Sequence, residues 1–238
     1  MSKIFQFKQF SIDQTDCGMK VNTDAALLGA LAEATEPRNI LEIGTGTGVI
    51  TLMIAQRFPN ALIDAVEIDE KAAITAATNF ENSVFSKQIT LIPTSFEDHF
   101  LSSSDKKYDL IVSNPPYFIN SSRGVDPAKS LARHTDVQFF ENLIFGAANH
   151  LSDDGLLFLI LPLDTAELVM KLSGGSARLH LRRKVLIHSF PISEPYRCIL
   201  VLGYAAVSAE VQKFVIYESQ NVYSEEYRTL LKDYLIIF

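Results

Sequence analysis

The feature that most constrains the fold is an apolar segment that runs directly into three alternating glycines. Residues 39–43 are mostly aliphatic, and Gly44, Gly46 and Gly48 follow at every second position. Residues 49–57 have the aliphatic content of a buried helix, and a second apolar run covers residues 61–67. This order of strand, tight turn, helix and strand predicts a βαβ unit with a parallel pair of strands.

The rest of the chain continues the alternation of strands and helices. We predict further strands at residues 88–92, 108–113 and 156–161, and helices at 71–79 and 137–150. Two segments rich in β-branched and aliphatic residues lie close together and predict an antiparallel pair at one edge, 182–189 and 197–205. The pattern is typical of an α/β, Rossmann-like fold, with a seven-stranded, mostly parallel sheet and helices on both faces.

The length favours one domain over residues 1–238, because a chain of this size can bury a single large core. An N-terminal extension, residues 1–36, would precede the first strand of the sheet. It would contain a helix over residues 25–34, capped by Thr23 or Asn22. A short helical C-terminal tail is expected over residues 206–238.

Composition excludes several classes of protein. With 47% hydrophobic and 21% charged residues, the chain is globular and not disordered. A net charge of -7 argues against bulk coating of nucleic acid, although an acidic protein can carry a local basic groove. Two cysteines, Cys17 and Cys198, are too few for a zinc cage, so no metal is expected. No apolar run is long enough to span a membrane and no signal-peptide core is present, so we expect a cytoplasmic protein without membrane contact.

The spacing of the glycines and a nearby carboxylate indicate the ligand. A dinucleotide-binding loop has the spacing G-x-G-x-x-G, and the glycines here follow G-x-G-x-G instead. Glu42 precedes the loop and would repel a pyrophosphate, but it would favour a ligand that carries an ammonium and a sulfonium. S-adenosylmethionine has both charges. We therefore expect this cofactor to contact Gly44, Thr45, Gly46 and Gly48.

A second carboxylate stands where a ribose would lie. Glu67 ends the next predicted strand, 19 residues after Gly48. Rossmann-type sheets place an acidic side chain there to accept hydrogen bonds from ribose hydroxyls. The alternative is a glycine-rich turn without a ligand, with Glu67 and Asp69 merely solvated at a strand end. The complete order of strand, glycines, helix, strand and carboxylate favours the cofactor.

The predicted strand 108–113 ends in the motif Asn114-Pro115-Pro116-Tyr117. Ligands of open α/β sheets bind beyond the carboxyl ends of the strands, so Asn114 is expected beside the glycine loop. The Asn114 side-chain oxygen and the Pro115 carbonyl would accept the two N–H bonds of a flat, conjugated amine and aim its lone pair at the methyl group. Pro116 would stiffen the loop, and Tyr117 would offer a ring face to a flat substrate. The alternative is a Pro-Pro turn that closes an edge loop.

These motifs carry a resemblance to a known family. Residues 16–25, which read Asp-Cys-Gly-Met-Lys-Val-Asn-Thr-Asp-Ala, the loop at 42–48 and the motif at 114–118 together resemble the bacterial tRNA N6-adenine methyltransferases. Those enzymes act on valine tRNA at adenine 37, next to the anticodon. The resemblance implies a class I methyltransferase fold, S-adenosyl-L-methionine as cofactor and the N6 of a tRNA adenine as methyl acceptor.

The resemblance also implies roles for residues outside the two motifs. It places Lys20, Thr23 and Asp24 near the methionine end of the cofactor, although plain helix capping would equally explain Thr23 and Asp24. Relatives read the cofactor adenine near residues 94–98, where Ser95 and Phe96 are expected to touch it. The register of this stretch is open, because the acidic residues here come later, at Glu97 and Asp98.

Contacts to the phosphates of a tRNA anticodon loop require cations. One group follows the Asn-Pro-Pro-Tyr motif and is well placed by sequence, namely Arg123, Lys129, Arg133 and His134. A denser group surrounds Arg182 and Arg183, with Arg178 and Lys184 beside them. The alternatives are a solvated strand edge for the second group and a surface histidine for His134. No obligate protein partner is predicted.

Three other functions remain as alternatives. A protein glutamine-N5 methyltransferase would use a similar Asn-Pro-Pro-Tyr site, but we expect it to need a helical N-terminal domain, and this chain reaches its glycine loop at residue 44. A DNA adenine methyltransferase would need a separate target-recognition domain. A non-enzymatic S-adenosylmethionine-binding module would have no use for an intact Asn-Pro-Pro-Tyr motif.

Overall fold

The computed structural model describes residues 4–15, 20–116, 127–175 and 177–238, with the backbone alone over 127–136. The described strands are β1 (Ile4–Gln6), β2 (Ser11–Asp13), β3 (Asn39–Ile43), β4 (Leu62–Val66), β5 (Ile89–Ile92), β6 (Tyr108–Ser113), β7 (Leu151–Leu161), β8 (His180–His188), β9 (Pro195–Gly203), β10 (Glu210–Val215), β11 (Tyr217–Ser219) and β12 (Val222–Tyr223). The described helices are α1 (Thr23–Leu31), α2 (Val49–Arg57), α3 (Glu70–Glu81), α4 (Phe96–Ser102), α5 (Pro127–His150), α6 (Leu163–Ser173) and α7 (Glu225–Leu231), with one 3₁₀ turn at Ser86–Gln88.

Eight strands form the central sheet, in the order β10-β8-β9-β7-β6-β3-β4-β5. The strands from β3 to β7 pair in parallel. Strand β9 runs antiparallel to both of its neighbours, β7 and β8. The mostly parallel sheet and the antiparallel pair at one side are confirmed, and the sheet is the Rossmann-like sheet expected of the α/β class.

The expected number of seven strands is one too few. The additional strand, β10, pairs in parallel with the outer side of β8. Half of its sequence, Glu-Val-Gln-Lys-Phe-Val, is polar, and most of its side chains are exposed or half-buried, as is usual for an edge strand. The expectation of a simply helical tail over residues 206–238 is therefore wrong, since β10, β11 and β12 precede the short helix α7. The tail contains strand β10 because its backbone pairs with β8. The periodicity of the sequence does not reveal such pairing between separate segments.

Two apolar cores lie on opposite faces of the sheet, as the α/β pattern predicts. One core packs α1, α2, α3 and α7 against the sheet, and the other packs α4, α5 and α6. Both cores use strand residues that alternate in direction, such as Ile40 on the first face and Leu41 on the second. No helix within the described residues is both long and apolar enough to cross a membrane.

The N-terminal residues form more structure than an extension with one helix. Strands β1 and β2 pair as an antiparallel hairpin, and the main chain of Asp13 exchanges hydrogen bonds with the Asn79 side chain of α3 (2.8 and 3.0 Å). Asn22 is the cap of α1, because its side chain accepts a hydrogen bond from the Ala25 N–H (2.9 Å). This hydrogen bond satisfies one of the N–H groups at the start of α1 that have no partner within the helix.

Candidate cofactor and methyl-transfer site

A cavity of about 650 Å³ opens at the carboxyl ends of β3, β4 and β6. It is lined by most of the residues that the sequence predicts for the site, namely Lys20, Gly44, Thr45, Gly46, Glu67, Ser95, Phe96, Asn114, Pro115 and Pro116. Four further candidates do not line it: Thr23, Asp24, Glu42 and Gly48. Tyr117 lies outside the described residues.

The glycine loop is tied to the end of the neighbouring strand. The N–H groups of Gly44 and Thr45 donate to the Val66 carbonyl at 2.8 and 3.0 Å, and the Gly46 N–H donates to the Glu67 carboxylate at 2.8 Å. A Cβ atom built on Gly44 or Gly46 would meet no atom within 4 Å. The main chain at these two positions therefore faces open space, which a ligand can enter.

Gly48 does not line the cavity, and its role is to allow α3 to pack closely against the glycine loop. It has a φ of +84° and directly precedes α2 as its N-terminal cap, and a Cβ atom there would lie 2.4 Å from the Phe80 ring of α3. Only glycine combines a left-handed backbone with this close approach of loop and ring. The third glycine of the motif therefore sets how closely α3 packs, and it contacts the cavity only through its neighbours.

We expect Gly48→Ala to lower the free energy of unfolding of the cofactor-free protein by about 2–4 kcal/mol, from backbone strain plus the clash with Phe80. Gly44→Ala is the matched control, because Gly44 also has a positive φ (+76°) but has free space around it. It should lose only about 1 kcal/mol. Urea denaturation measures both values, and equal losses would contradict the packing role of Gly48.

Glu42 lies behind the glycine loop and is fully buried. Its Oε2 accepts hydrogen bonds from the hydroxyls of Thr45 (2.8 Å) and Thr51. Its Oε1 has no hydrogen-bond partner among the described residues. Burial raises the pKa of Glu42 to about 8 despite the two hydroxyl donors. The sequence places this carboxylate against the ligand, whereas the structure connects it to the cavity through Thr45.

Glu67 lines the cavity and organises the backbone around it. Its Oε2 accepts from the Gly46 N–H and its Oε1 accepts from the Asp69 N–H, both at 2.8 Å. Each carboxylate oxygen can accept a second hydrogen bond, so the side chain can still bind a hydroxyl pair. Asp69 is the cap of α3 and accepts from the Ala72 N–H at 2.8 Å.

The end of β6 places the proline motif beside the glycine loop. Strands β3 and β6 pair so that Ile43 lies opposite Ser113, and the Ser113 hydroxyl donates to the Ile43 carbonyl at 2.8 Å. Asn114, directly after Ser113, is therefore next to Gly44, which directly follows Ile43. This proximity is what the topological rule predicts for two adjacent parallel strands.

The far side of the cavity is formed by the start of α4 and by α5. Ser95 caps α4 by accepting from the Asp98 N–H at 3.0 Å. The Phe96 ring meets the Phe139 ring edge-on, with centroids 5.4 Å apart. The expected Ser95 and Phe96 are thus both at the cavity, and Glu97, but not Asp98, lines it as well.

Sequence reasoning missed several residues that line the cavity, among them Ile50, Ile68, Lys71, Ser113 and Phe139. Ile68 had a usable sequence signal, because it is an aliphatic residue between Glu67 and Asp69 at a strand end. In the structure its side chain is 74% exposed. Phe139 had none, because its ring reaches the cavity only through the packing of α5 on α4.

Asp24 holds the start of α1 to the sheet. Its Oδ2 accepts from the Arg197 Nε of β9 at 3.0 Å. Asn22 and Ala25, on either side of it, line the cavity. The resemblance places Asp24 near the methionine end of the cofactor, and in the structure Asp24 forms an ion pair beside that cavity.

The structure does not bring Arg182 and Arg183 to the cavity. Arg183 pairs with Glu33 at 2.8 Å. Glu33 follows the end of α1, and α1 starts at the cavity and runs away from it. Of the other basic group, Arg123 lies outside the described residues, and Lys129, Arg133 and His134 fall where α5 is described by its backbone alone. Within the described residues, no group of His, Cys, Asp and Glu could hold a metal ion.

Two curated relatives match the chain over nearly its whole length. The tRNA1(Val) (adenine(37)-N6)-methyltransferase of Pedobacter heparinus is 46% identical over 243 residues, which is 100% of both chains. The protein of the same name from Phocaeicola vulgatus is 40% identical over 98% of this chain and 97% of its own.

Solved structures and a family model agree on the fold. A predicted O-methyltransferase from Agrobacterium tumefaciens superposes with a TM-score of 0.69 at 18% identity, over 89% of this chain and 96% of its own. TrmN from Thermus thermophilus superposes with a TM-score of 0.56 at 23% identity, over 75% of this chain and 47% of its own. Both show the class I methyltransferase fold that this chain has. The cofactor of this protein is S-adenosylmethionine. Since residues 7–166 also match the family model for the methyltransferase small domain, the chain belongs to that family, in the group of bacterial tRNA1(Val) (adenine(37)-N6)-methyltransferases.

Proposed function

We propose that this protein transfers the methyl group of S-adenosylmethionine to the exocyclic N6 of an adenine in tRNA, and that the adenine is nucleotide 37 of valine tRNA. The observation that carries the proposal is the placement of Asn114 and Pro115 in the same cavity as the open main chain of Gly44 and Gly46. The full-length similarity to relatives of that name supports the choice of substrate. The protein acts in the cytoplasm, as one domain.

The residues of the cavity fit the cofactor. Gly44 and Gly46 leave space at the main chain, and Glu67 retains acceptor capacity for the two ribose hydroxyls. Ser95, Phe96 and Lys20 all line the cavity, and we assign the first two to the cofactor adenine and Lys20 to its methionine end. When bound, the cofactor supplies an electrophilic methyl group on a sulfonium.

The chain's own contribution to the reaction is positioning. The Asn114 side-chain oxygen and the Pro115 carbonyl accept the two N–H bonds of the adenine amine, which directs the nitrogen lone pair out of its conjugation and toward the methyl group. Tyr117 offers its ring to the flat base. No strong general base is required, because the amine becomes acidic only as the methyl group arrives.

Cations after the Asn-Pro-Pro-Tyr motif hold the flanking phosphates of the anticodon loop. Single-stranded bases of such a loop can leave their stack at small cost, so the adenine can reach the cavity. This role falls to Arg123, Lys129, Arg133 and His134, since their segment starts at the catalytic motif. RNA binding should therefore weaken steeply as salt rises.

One assay separates the proposed function from its alternatives. The protein is incubated with S-adenosylmethionine labelled in the methyl group and, separately, with total cellular RNA, DNA and protein. We expect label in RNA, as N6-methyladenosine after digestion. A valine tRNA transcript with adenine at position 37 should accept the label, and the matched transcript with guanine at that position should not. Label confined to protein, as N5-methylglutamine, would support the glutamine alternative instead.

A further inference from the structure

The hairpin formed by β8 and β9 extends beyond the edge of the sheet where the cavity opens. Ser113, the last residue of β6, pairs with Leu159 of β7, and Leu159 pairs with Leu200 of β9. Leu200 in turn pairs with Lys184 of β8, so these four residues lie at the same height in the sheet. From Leu200 back to Pro195, β9 continues for five more residues, which is about 16 Å at the usual rise per residue. The turn of this hairpin, residues 189–194, therefore projects past Asn114 on the same side as the cavity.

The start of β9 lies next to the cavity wall. Arg197, three residues after the turn, donates to Asp24 at 3.0 Å. Asn22 and Ala25, which flank Asp24, line the cavity. A substrate that spans more than the reacting base would meet this hairpin directly outside the cavity.

The turn presents apolar side chains to solvent. Ile192 is 98% exposed and Phe190 is 38% exposed, with Pro191 exposed between them. Exposed aliphatic residues also occur elsewhere in the chain, for example Leu101, Val84 and the adjacent Ile236 and Ile237. A cluster of three consecutive apolar residues on a projecting turn is typical of a recognition surface.

The turn is held in one shape by hydrogen bonds. The Ser193 N–H donates to the Phe190 carbonyl at 3.1 Å, and the Phe190 N–H donates to the Ser193 hydroxyl at 3.0 Å. The Lys213 ammonium of β10 donates to the Pro191 carbonyl, and the Tyr217 N–H donates to the Ser189 carbonyl at 2.9 Å. A preorganised surface loses little conformational entropy on binding.

Phe190 is also the exposed end of a row of aromatic rings. Its ring lies 5.7 Å from that of Tyr217, which stacks on Tyr223 at 5.0 Å, and Tyr223 stacks on the buried Tyr227 at 4.9 Å. The row is anchored in the core and reaches the surface at Phe190. One more flat ring, supplied by a ligand, would extend it.

We propose that the turn of the β8–β9 hairpin binds an unstacked base of the RNA that flanks the target adenine, with Phe190 as the stacking ring and Ile192 as a second apolar contact. The inference rests on the proposed function. Nucleobases in single-stranded RNA are recognised by stacking on aromatic side chains. A single-stranded loop that delivers one base to Asn114 would carry its flanking nucleotides past the projecting hairpin.

The test compares Phe190→Ala and Ile192→Ser with Leu101→Ser. Leu101 is 80% exposed and lies near the end of α4, whose opposite end borders the cavity, so it is a matched control. Methyl transfer to valine tRNA is measured with saturating S-adenosylmethionine. Phe190→Ala should raise the KM for tRNA by about 5- to 150-fold, the range for one stacked base, and Ile192→Ser by several-fold. The kcat and the Kd for S-adenosylmethionine should change by less than about twofold in all three variants.

A second measurement identifies the kind of contact. Binding of the anticodon stem-loop is followed by fluorescence anisotropy at several salt concentrations. Loss of a stacking contact weakens binding and leaves the slope of log K against log salt unchanged, whereas loss of a phosphate contact reduces the slope. Ile192 is 98% exposed, so Ile192→Ser removes almost no buried contact and keeps the test decisive if Phe190→Ala is unstable.

Failure of this inference differs from failure of the proposed function. If the wild-type protein is active and both hairpin variants have the same KM for tRNA as the wild type, the hairpin proposal is overturned. The proposed function then remains intact. A changed oligomeric state with unchanged KM would assign the turn to a second copy of the chain and also overturn it. If the wild-type protein methylates no RNA, the proposed function falls, and the hairpin proposal falls with it.

Discussion

Asn114→Ala should lower the kcat of methyl transfer to valine tRNA by about a hundredfold to a thousandfold, the usual cost of losing one group that acts in the transition state. The alanine cannot accept an N–H of the adenine amine, so the lone pair is no longer aimed at the methyl group. The Kd for S-adenosylmethionine should change little, because the glycine loop and Glu67 are untouched. Single-turnover kinetics and equilibrium dialysis measure the two quantities.

Asn149→Ala is the matched control for this prediction. Asn149 is an exposed residue near the end of α5, and α5 ends directly before β7 begins, at the edge of the sheet remote from the cavity. The control should retain wild-type kcat and KM. Full turnover in Asn114→Ala would show that this side chain does not hold the acceptor, and an equal loss in S-adenosylmethionine binding would reassign it to the cofactor.

Glu42→Gln should remove a pH dependence from the stability of the cofactor-free protein. The pKa of Glu42 is raised by burial from 4.5 to about 8. Between these two pH values the folded protein binds one proton more than the unfolded chain, so this group lowers the free energy of unfolding as pH rises. The slope is about 1.4 kcal/mol per pH unit, and the whole window is on the order of 5 kcal/mol. Glutamine is neutral throughout, so this contribution disappears.

The measurement is urea denaturation at several pH values between 5 and 8.5. The Glu42→Gln variant should become more stable than wild type toward the alkaline end, since its amide keeps an oxygen for the hydroxyls of Thr45 and Thr51 and carries no charge. Glu81→Gln, the same change at an exposed site of α3, should leave the slope as it is. Parallel curves for wild type and Glu42→Gln would show that Glu42 is ionised across this range.

Local sequence signals predicted much of the scaffold. The predicted bounds of α2 and β6, residues 49–57 and 108–113, agree with the structure at both ends. Runs of buried aliphatic residues bounded by glycine or proline specify such elements without distant contacts. The carboxyl-edge rule then predicted that Asn114 and the glycine loop would be adjacent, which the pairing of β3 with β6 produces.

Other predictions depended on which side chains contact each other in the folded protein, and residue order does not reveal those contacts. Glu42 was expected at the ligand, but its carboxyl accepts hydrogen bonds from Thr45 and Thr51 behind the loop. Arg183 was a candidate for RNA phosphates, with a solvated strand edge as the alternative; the structure pairs it with Glu33, and the phosphate contact stays a prediction. The direction of a long side chain depends on which helix packs over its strand, and residue spacing carries no information on that.

The sequence by itself determined the order of strands and helices, the open glycine turn and the polar ends of the strands, because these depend on backbone preferences and on the alternation of buried residues over short distances. Only the tertiary structure decided which residues share the cavity, that Glu42 is buried with a raised pKa, that β10 adds an eighth strand, and that the β8–β9 turn projects past Asn114. Each of these depends on contacts between segments that are distant along the chain. Their free energies come from desolvation and pairing, which arise only when those segments pack together.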